Sequence, residues 1–175
     1  MSYELDDGLL IALERPTFKH QDVASLMSYA VRAHARASRQ GRPFAQVDVY
    51  LPDGRIYLPD FGFLGNDKLD QVCRIDGKIH GAPTMVAEVM SSEDVRDRTR
   101  KFHVYFDNGI EWLWLVSQSL VIEEYHATEP GYVRVSTTSP GEVFRPQLFP
   151  GLEVNLAALL RETEQETPDS SEQSG

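Results

Sequence analysis

Thr84-Met85-Val86-Ala87-Glu88-Val89-Met90 is the most apolar stretch in the first hundred residues, and a single carboxylate interrupts it. So continuous an apolar run reads as a strand buried on both faces. A charged carboxylate left alone inside such a strand costs several kcal/mol, so Glu88 there must be paired, hydrogen-bonded, neutral or metal-bound. On an edge strand the same residue would simply face water.

The neighbouring segments define the rest of the sheet. Residues 96–108 have helical spacing, with Phe102, Tyr105 and Phe106 as core contacts and Gly109 as the stop. Residues 112–116 read as a buried strand and residues 121–126 and 132–135 as further strands. Residues 152–160 read as a strand end and a helical turn. Upstream, residues 56–63 read as one strand, reached from residues 47–50 through a Pro52-Asp53-Gly54 turn. Residues 66–81 are polar and irregular, a loop with a short helix. Residues 19–40 are helical: Val23, Leu26, Met27, Ala30, Val31, Ala33 and Ala37 share one side, with Gly41 as the stop. Arg32, Arg36 and Arg39 fall on the opposite face, which is either solvated or turned to phosphate. Residues 3–13 form a strand pair turning at Asp6-Asp7-Gly8. This order predicts an α/β (α+β) fold, a mixed β-sheet flanked by helices.

The length of 175 residues fits one domain, expected over residues 1–160. An acidic tail without apolar residues, 161–175, is expected to be disordered. A single cysteine, Cys73, excludes an intrachain disulfide and a thiolate zinc cluster. No apolar run approaches the roughly 20 residues that span a bilayer. The first residues are acidic, unlike a secretory leader, so a cytoplasmic setting without membrane contact is expected. The net charge of −10 argues on its face against a nucleic-acid partner. Its distribution is segregated, however. Residues 15–42 hold six basic side chains against Asp22 alone, and Arg96, Arg98, Arg100 and Lys101 form a second basic cluster. A phosphate-facing side on an acidic protein is therefore permitted.

Two further residues join Glu88 as chemical candidates. Asp60 follows Pro59 at a strand end, where a turn aspartate is the ordinary reading. Lys101 lies four residues after Asp97 on the next helix, where a surface ion pair is the ordinary reading. Together they make two carboxylates from neighbouring strands and one ammonium from the adjoining helix. Such a set suits Mg²⁺, a hard ion that keeps several waters. A phosphodiester needs that ion to activate water and offset charge building on phosphorus, while lysine supplies a point charge. Trp112 and Trp114 share a strand face and read as core, and His34 reads as a hydrogen-bonded core histidine. His80, His103 and His126 lack a common ligand spacing and read as surface residues. No Gly-x-Ser-x-Gly elbow, His-Glu-x-x-His pair or phosphate-cradling glycine loop supports a small-molecule hydrolase.

Leu58-Pro59-Asp60 and the run Gly81 through Ser91 resemble the Uma family of restriction-endonuclease-like proteins, within the PD-(D/E)XK nuclease superfamily. The likeness continues through Asp97, Lys101, Tyr105 and the Asn108-to-Val116 run, to Leu148-Phe149-Pro150-Gly151-Leu152. Tyr3 through Gly8 resembles the family's opening hairpin, and His20 its first-helix histidine. The resemblance implies a restriction-endonuclease-like core that hydrolyses DNA with Mg²⁺, for which Mn²⁺ substitutes. Asp60 and Glu88 would ligate the metal with the main-chain carbonyl of Val89, and Lys101 would be the active-site lysine. Glu4 is a further carboxylate for the site or an ordinary hairpin residue, and His20 is a candidate phosphate contact. The superfamily's usual Glu-x-Lys spacing would put lysine at position 90, which is methionine here, and Ser91-Ser92 replaces the usual serine–proline. A homodimer is expected from the superfamily. The competing expectation is a catalytically inactive binding protein on the same fold, serving a mobile-element or defence system.

Overall fold

The computed structural model describes residues 2–72, 74–90 and 95–165. Cys73, the Ser91-Ser92 pair and residues 166–175 of the expected tail lie outside these. The hairpin β1 (Tyr3–Asp6) and β2 (Leu9–Ala12) comes first, closed by Asp7 and Gly8, both at positive φ as a two-residue turn requires. Helix α1 (Phe18–Ser38) follows, then β3 (Gly41–Ala45), β4 (Val49–Tyr50), β5 (Ile56–Tyr57) and β6 (Phe61–Gly65). A 3-10 helix (Asn66–Gln71), β7 (Ile79–His80) and β8 (Met85–Met90) lead to α2 (Val95–Asp107). The chain then runs through β9 (Trp112–Ser117), β10 (Ile122–Thr128), β11 (Gly131–Thr138) and α3 (Leu156–Gln165).

Two mixed sheets form where one was expected. The larger has the order β11-β10-β9-β8-β6-β3 and the smaller β2-β1-β5-β4-β7. In the larger sheet only β8 and β9 run parallel, joined by the α2 crossover that parallel strands require. The β8 strand is internal, flanked by β9 and β6, so Glu88 is not an edge residue facing water. Alternation along β8 separates two cores. Met85, Ala87 and Val89 pack with α1 and α3, against Val23, Met27, Val31, Phe149 and Leu160. Val86 and Met90 pack on the other side with Val104 and Tyr105 of α2, and with Val49, Tyr57 and Ile79 of the smaller sheet.

Several boundaries differ from the sequence expectation, each for a local reason. The strand expected over residues 56–63 is two strands in two different sheets, because Pro59 offers no N–H to continue a ladder. Helix α1 ends at Arg39, whose left-handed φ of 55° and N–H bond to the Ala35 carbonyl make the cap. Gly41 instead opens β3, an edge strand that tolerates Pro43. The buried face of α1 is Val23, Ala24, Met27, Ser28, Val31 and Ala35, while Ala33 and Ala37 are exposed. Alanine suits an exposed helical position as well as a buried one, so it marks a face weakly. Helix α3 extends to Gln165, five residues past the expected domain end. Among the described residues no helix is long and apolar enough to cross a membrane.

One buried carboxylate fastens a long loop to the larger sheet. Glu124 on β10 is fully buried and accepts the Trp114 indole N–H at 3.2 Å and the Gln147 and Leu148 N–H groups at 2.9 and 3.3 Å. Glu124→Ala orphans three donors at once and is expected to lower stability by about 3 kcal/mol or more. Glu124→Gln, which keeps one acceptor oxygen, should cost clearly less in urea denaturation; equal losses would refute this role.

Candidate functional site

Asp60 stands at the crossing from the smaller sheet to the larger. The β6–β8 ladder ends at Phe61 opposite Ala87, so the next rung would fall where Pro59 and Asp60 lie. The Asp60 carboxylate takes over that rung: Oδ2 accepts the Val89 N–H at 2.8 Å. Its Oδ1 meets His20 Nε2 at 2.8 Å, reaching over from the first turn of α1. Thr17 caps that turn, its hydroxyl accepting the His20 N–H. The hydrogen bond to Asp60 raises the His20 imidazole pKa against the opposing effect of burial.

Glu88 projects from β8 toward α2. It is 3 % exposed, and the Tyr105 hydroxyl donates to its Oε1 at 2.5 Å. Lys101 Nζ lies 3.1 Å from Glu88 Oε2, 3.7 Å from Glu4 Oε1 and 3.9 Å from Asp97 Oδ2. Lys101 and Tyr105 are one helical turn apart on α2, so both reach the same carboxylate. Glu4, fully buried on β1, accepts the Leu58 N–H at 3.3 Å and lies 3.4 Å from Arg100. All of these side chains except Tyr105 line one cleft of about 650 Å³, with Ile11, Ala12, Leu13 and Arg15 of the hairpin region on its wall.

The charge balance in the cleft is negative. Burial pushes the Glu88 carboxyl up to about 7 although Lys101 opposes the rise, and Asp60 and Glu4 add to it. Burial works to lower the Lys101 pKa, but Glu88, Glu4 and Asp97 outweigh it and hold the ammonium charged. Burial leads the first shift and the neighbouring carboxylates produce the second, and in both the carboxylates outnumber the cations around them. A divalent cation relieves that excess, and the donors present are the hard oxygens Mg²⁺ prefers. Among the described residues no group of three or more His, Cys, Asp or Glu side chains is spaced to hold a metal. An ion here would therefore take two carboxylates, with main chain and water completing its shell, as Mg²⁺ commonly does. The residues fit the group.

The geometry places the sequence-predicted residues as follows. Asp60, Glu88, Lys101, Glu4 and His20 are brought together, and the contact seen at Val89 is made by its N–H. Tyr105 was read only as a core contact, although its place four residues after Lys101 signals a shared target. The second basic cluster is largely consumed by carboxylates. Arg100 bonds Asp6 and Asp97, and Arg98 bonds Glu123. His34 lacks the expected hydrogen bond, its buried Nε2 having no partner, and packs edge-on against Phe149. Trp114 is core as expected, and Trp112 stacks on His126.

Arg55 and Arg100 also stitch the hairpin to the site. Burial alone would raise the Asp6 carboxyl, but hydrogen bonds from Arg100 and Arg55 bring it below its ordinary 3.8. Asp53 is lowered likewise, by Asn108 and Arg55 against its burial. A depressed carboxyl adds stability that is complete above its unfolded pKa and lost as pH falls through the folded one. Stability is thus expected to drop below about pH 4, the ordinary aspartate range. Asp6→Asn should flatten that acid limb in urea melts while costing about 1 kcal/mol at neutral pH.

Two mixed sheets flanked by helices and converging on a carboxylate–lysine cleft define a mixed α/β architecture. The same architecture appears in a solved structure from Anabaena variabilis described as a "putative nuclease belonging to DUF820". The two chains share 17% identity, with 91% of each covered and a TM-score of 0.71. The profile of the Uma2 family, described as "Putative restriction endonuclease", matches residues 1–158, and this chain belongs to that family. No curated protein matches it.

Proposed function

We propose that the chain is a metal-dependent endonuclease hydrolysing DNA phosphodiester bonds. In this reading Asp60 and Glu88 hold Mg²⁺ or Mn²⁺ with the Val89 carbonyl, and Lys101 is the active-site amine. The observation that supports it most is the Lys101 ammonium 3.1 Å from Glu88 in a cleft shared with Asp60. Family membership and the fold support it independently.

A bound divalent ion supplies Lewis-acid stabilisation of the phosphate and a more acidic water. The chain does the rest. His20 and the Val89 N–H fix the two Asp60 oxygens, and Tyr105 fixes Glu88. Lys101 carries its charge to a phosphate oxygen in a site poor in water, where that charge acts most strongly. Glu4 holds the lysine from the hairpin side. Exposed Arg15, which lines the cleft, offers a first phosphate contact.

The test is cleavage of supercoiled plasmid and of a linear oligonucleotide with Mg²⁺, with Mn²⁺ and with chelator. Wild type should cut only with metal, and Glu88→Gln should not cut. A wild type that retards DNA in gels yet cuts under none of these conditions would favour a catalytically inactive nuclease-fold binding protein. The engagement of Arg98 and Arg100 by carboxylates supports that second reading.

A further inference from the structure

Strand β2 is one edge of the smaller sheet, and its four residues, Leu9, Leu10, Ile11 and Ala12, carry no charge. Leu9 is 70 % and Leu10 73 % exposed. Natural sheets protect such edges with charge, proline or a covering element, because an uncovered apolar edge pairs with another strand. None of the first two devices is present here.

The hairpin's own hydrogen bonds define what can pair. Leu13 N–H donates to the Ser2 carbonyl at 2.9 Å, which makes residues 2 and 13 a hydrogen-bonded pair. By alternation, Leu9 and Ile11 also turn their backbone groups toward β1. Leu10 and Ala12 therefore turn theirs outward. Two antiparallel copies of β2 satisfy all four groups when Leu10 of one faces Ala12 of the other. The two Ile11 residues then meet on the two-fold axis as a non-hydrogen-bonded pair. In that same register Leu9 lies opposite Leu13, and Asp7, mostly exposed though its Oδ1 accepts from Arg55 of its own chain, lies beside the exposed Arg15 of the other copy. The edge is complementary to itself in hydrogen bonding, in apolar side chains and in charge.

We propose that β2 is the seam of a homodimer, joining the two smaller sheets into one continuous sheet. A two-fold axis perpendicular to a sheet keeps both copies' faces on the same side. Glu4 lies opposite Ile11, so the two Glu4 residues stand three strand spacings apart, about 15 Å between backbones. Both clefts then open on one side of the assembly, each walled partly by the other copy's hairpin. The seam does not depend on the cleavage chemistry and stands or falls separately from it.

The test reads both the mass and the register. Light scattering behind size exclusion should give twice 19.8 kDa for the full chain. Leu10→Lys places a charge on the free edge at a residue whose backbone makes no hydrogen bond to β1, and should give monomer with unchanged far-UV circular dichroism. Arg15→Asp should weaken the dimer, and Arg15→Lys, which keeps the positive charge, should not. In a Cys73→Ser background, Ile11→Cys should cross-link under mild oxidation, because non-hydrogen-bonded partners lie about 4.5 Å apart at Cα, within disulfide reach. Leu10→Cys, offset from its own copy by two residues, should not. Wild type that stays monomeric at 100 µM overturns the proposal, and so does a dimer in which Ile11→Cys fails to cross-link.

Discussion

Lys101→Met is expected to lower DNA cleavage about 10²–10³-fold, the usual loss when one preorganised group opposing transition-state charge is removed. The same variant should still bind Mn²⁺, because it removes the cation that competes with metal for Glu88 and Glu4. Without metal it should be less stable by about 3–5 kcal/mol, since carboxylates buried around Lys101 lose their partner. Added Mn²⁺ should return part of that loss, so the thermal shift produced by metal is larger in the variant than in wild type. Lys101→Arg should not restore cutting, since a planar guanidinium does not fill the slot of a compact ammonium that is 7 % exposed. Cleavage by Lys101→Met within tenfold of wild type would remove the lysine from the chemistry.

Asp60→Asn should separate metal binding from folding in the opposite sense. Asparagine keeps an oxygen for the Val89 N–H, so the chain should fold, but the charge that attracts a cation is gone. In wild type, metal at a hundred times its Kd adds about 2.7 kcal/mol to stability. In Asp60→Asn that increment should disappear along with detectable cleavage. The His20 imidazole, held above its ordinary pKa by this carboxylate, should titrate lower in the variant by nuclear magnetic resonance. A full metal-induced shift in Asp60→Asn would place the ion elsewhere.

The buried strand, both major helices and the three principal side chains were legible in the sequence because each left a local mark. Glu88 broke an apolar run, Lys101 followed on an amphipathic helix, and Asp60 sat behind a proline. What the sequence did not disclose was longer in range. That Pro59 splits one apolar segment between two sheets depends on β1 and β4 being available to pair with β5, which no window of residues reveals. The basic cluster at residues 96–101 looked free because, apart from the local Asp97, its partners Asp6, Glu4 and Glu123 are distant in the chain. The hairpin residue Glu4 could be read either way until the smaller sheet placed it against Lys101.

No single element owns the cleft: α1 sends His20, the hairpin Glu4, the crossing Asp60, β8 Glu88 and α2 Lys101. Excised fragments should therefore capture no Mn²⁺, however well structured they are alone. During refolding from urea, far-UV ellipticity should recover before the chain takes up Mn²⁺, read as loss of the free ion's paramagnetic resonance signal. Acquisition of the ion would then mark the moment when the last layer docks, making the cleft a clock for its own assembly.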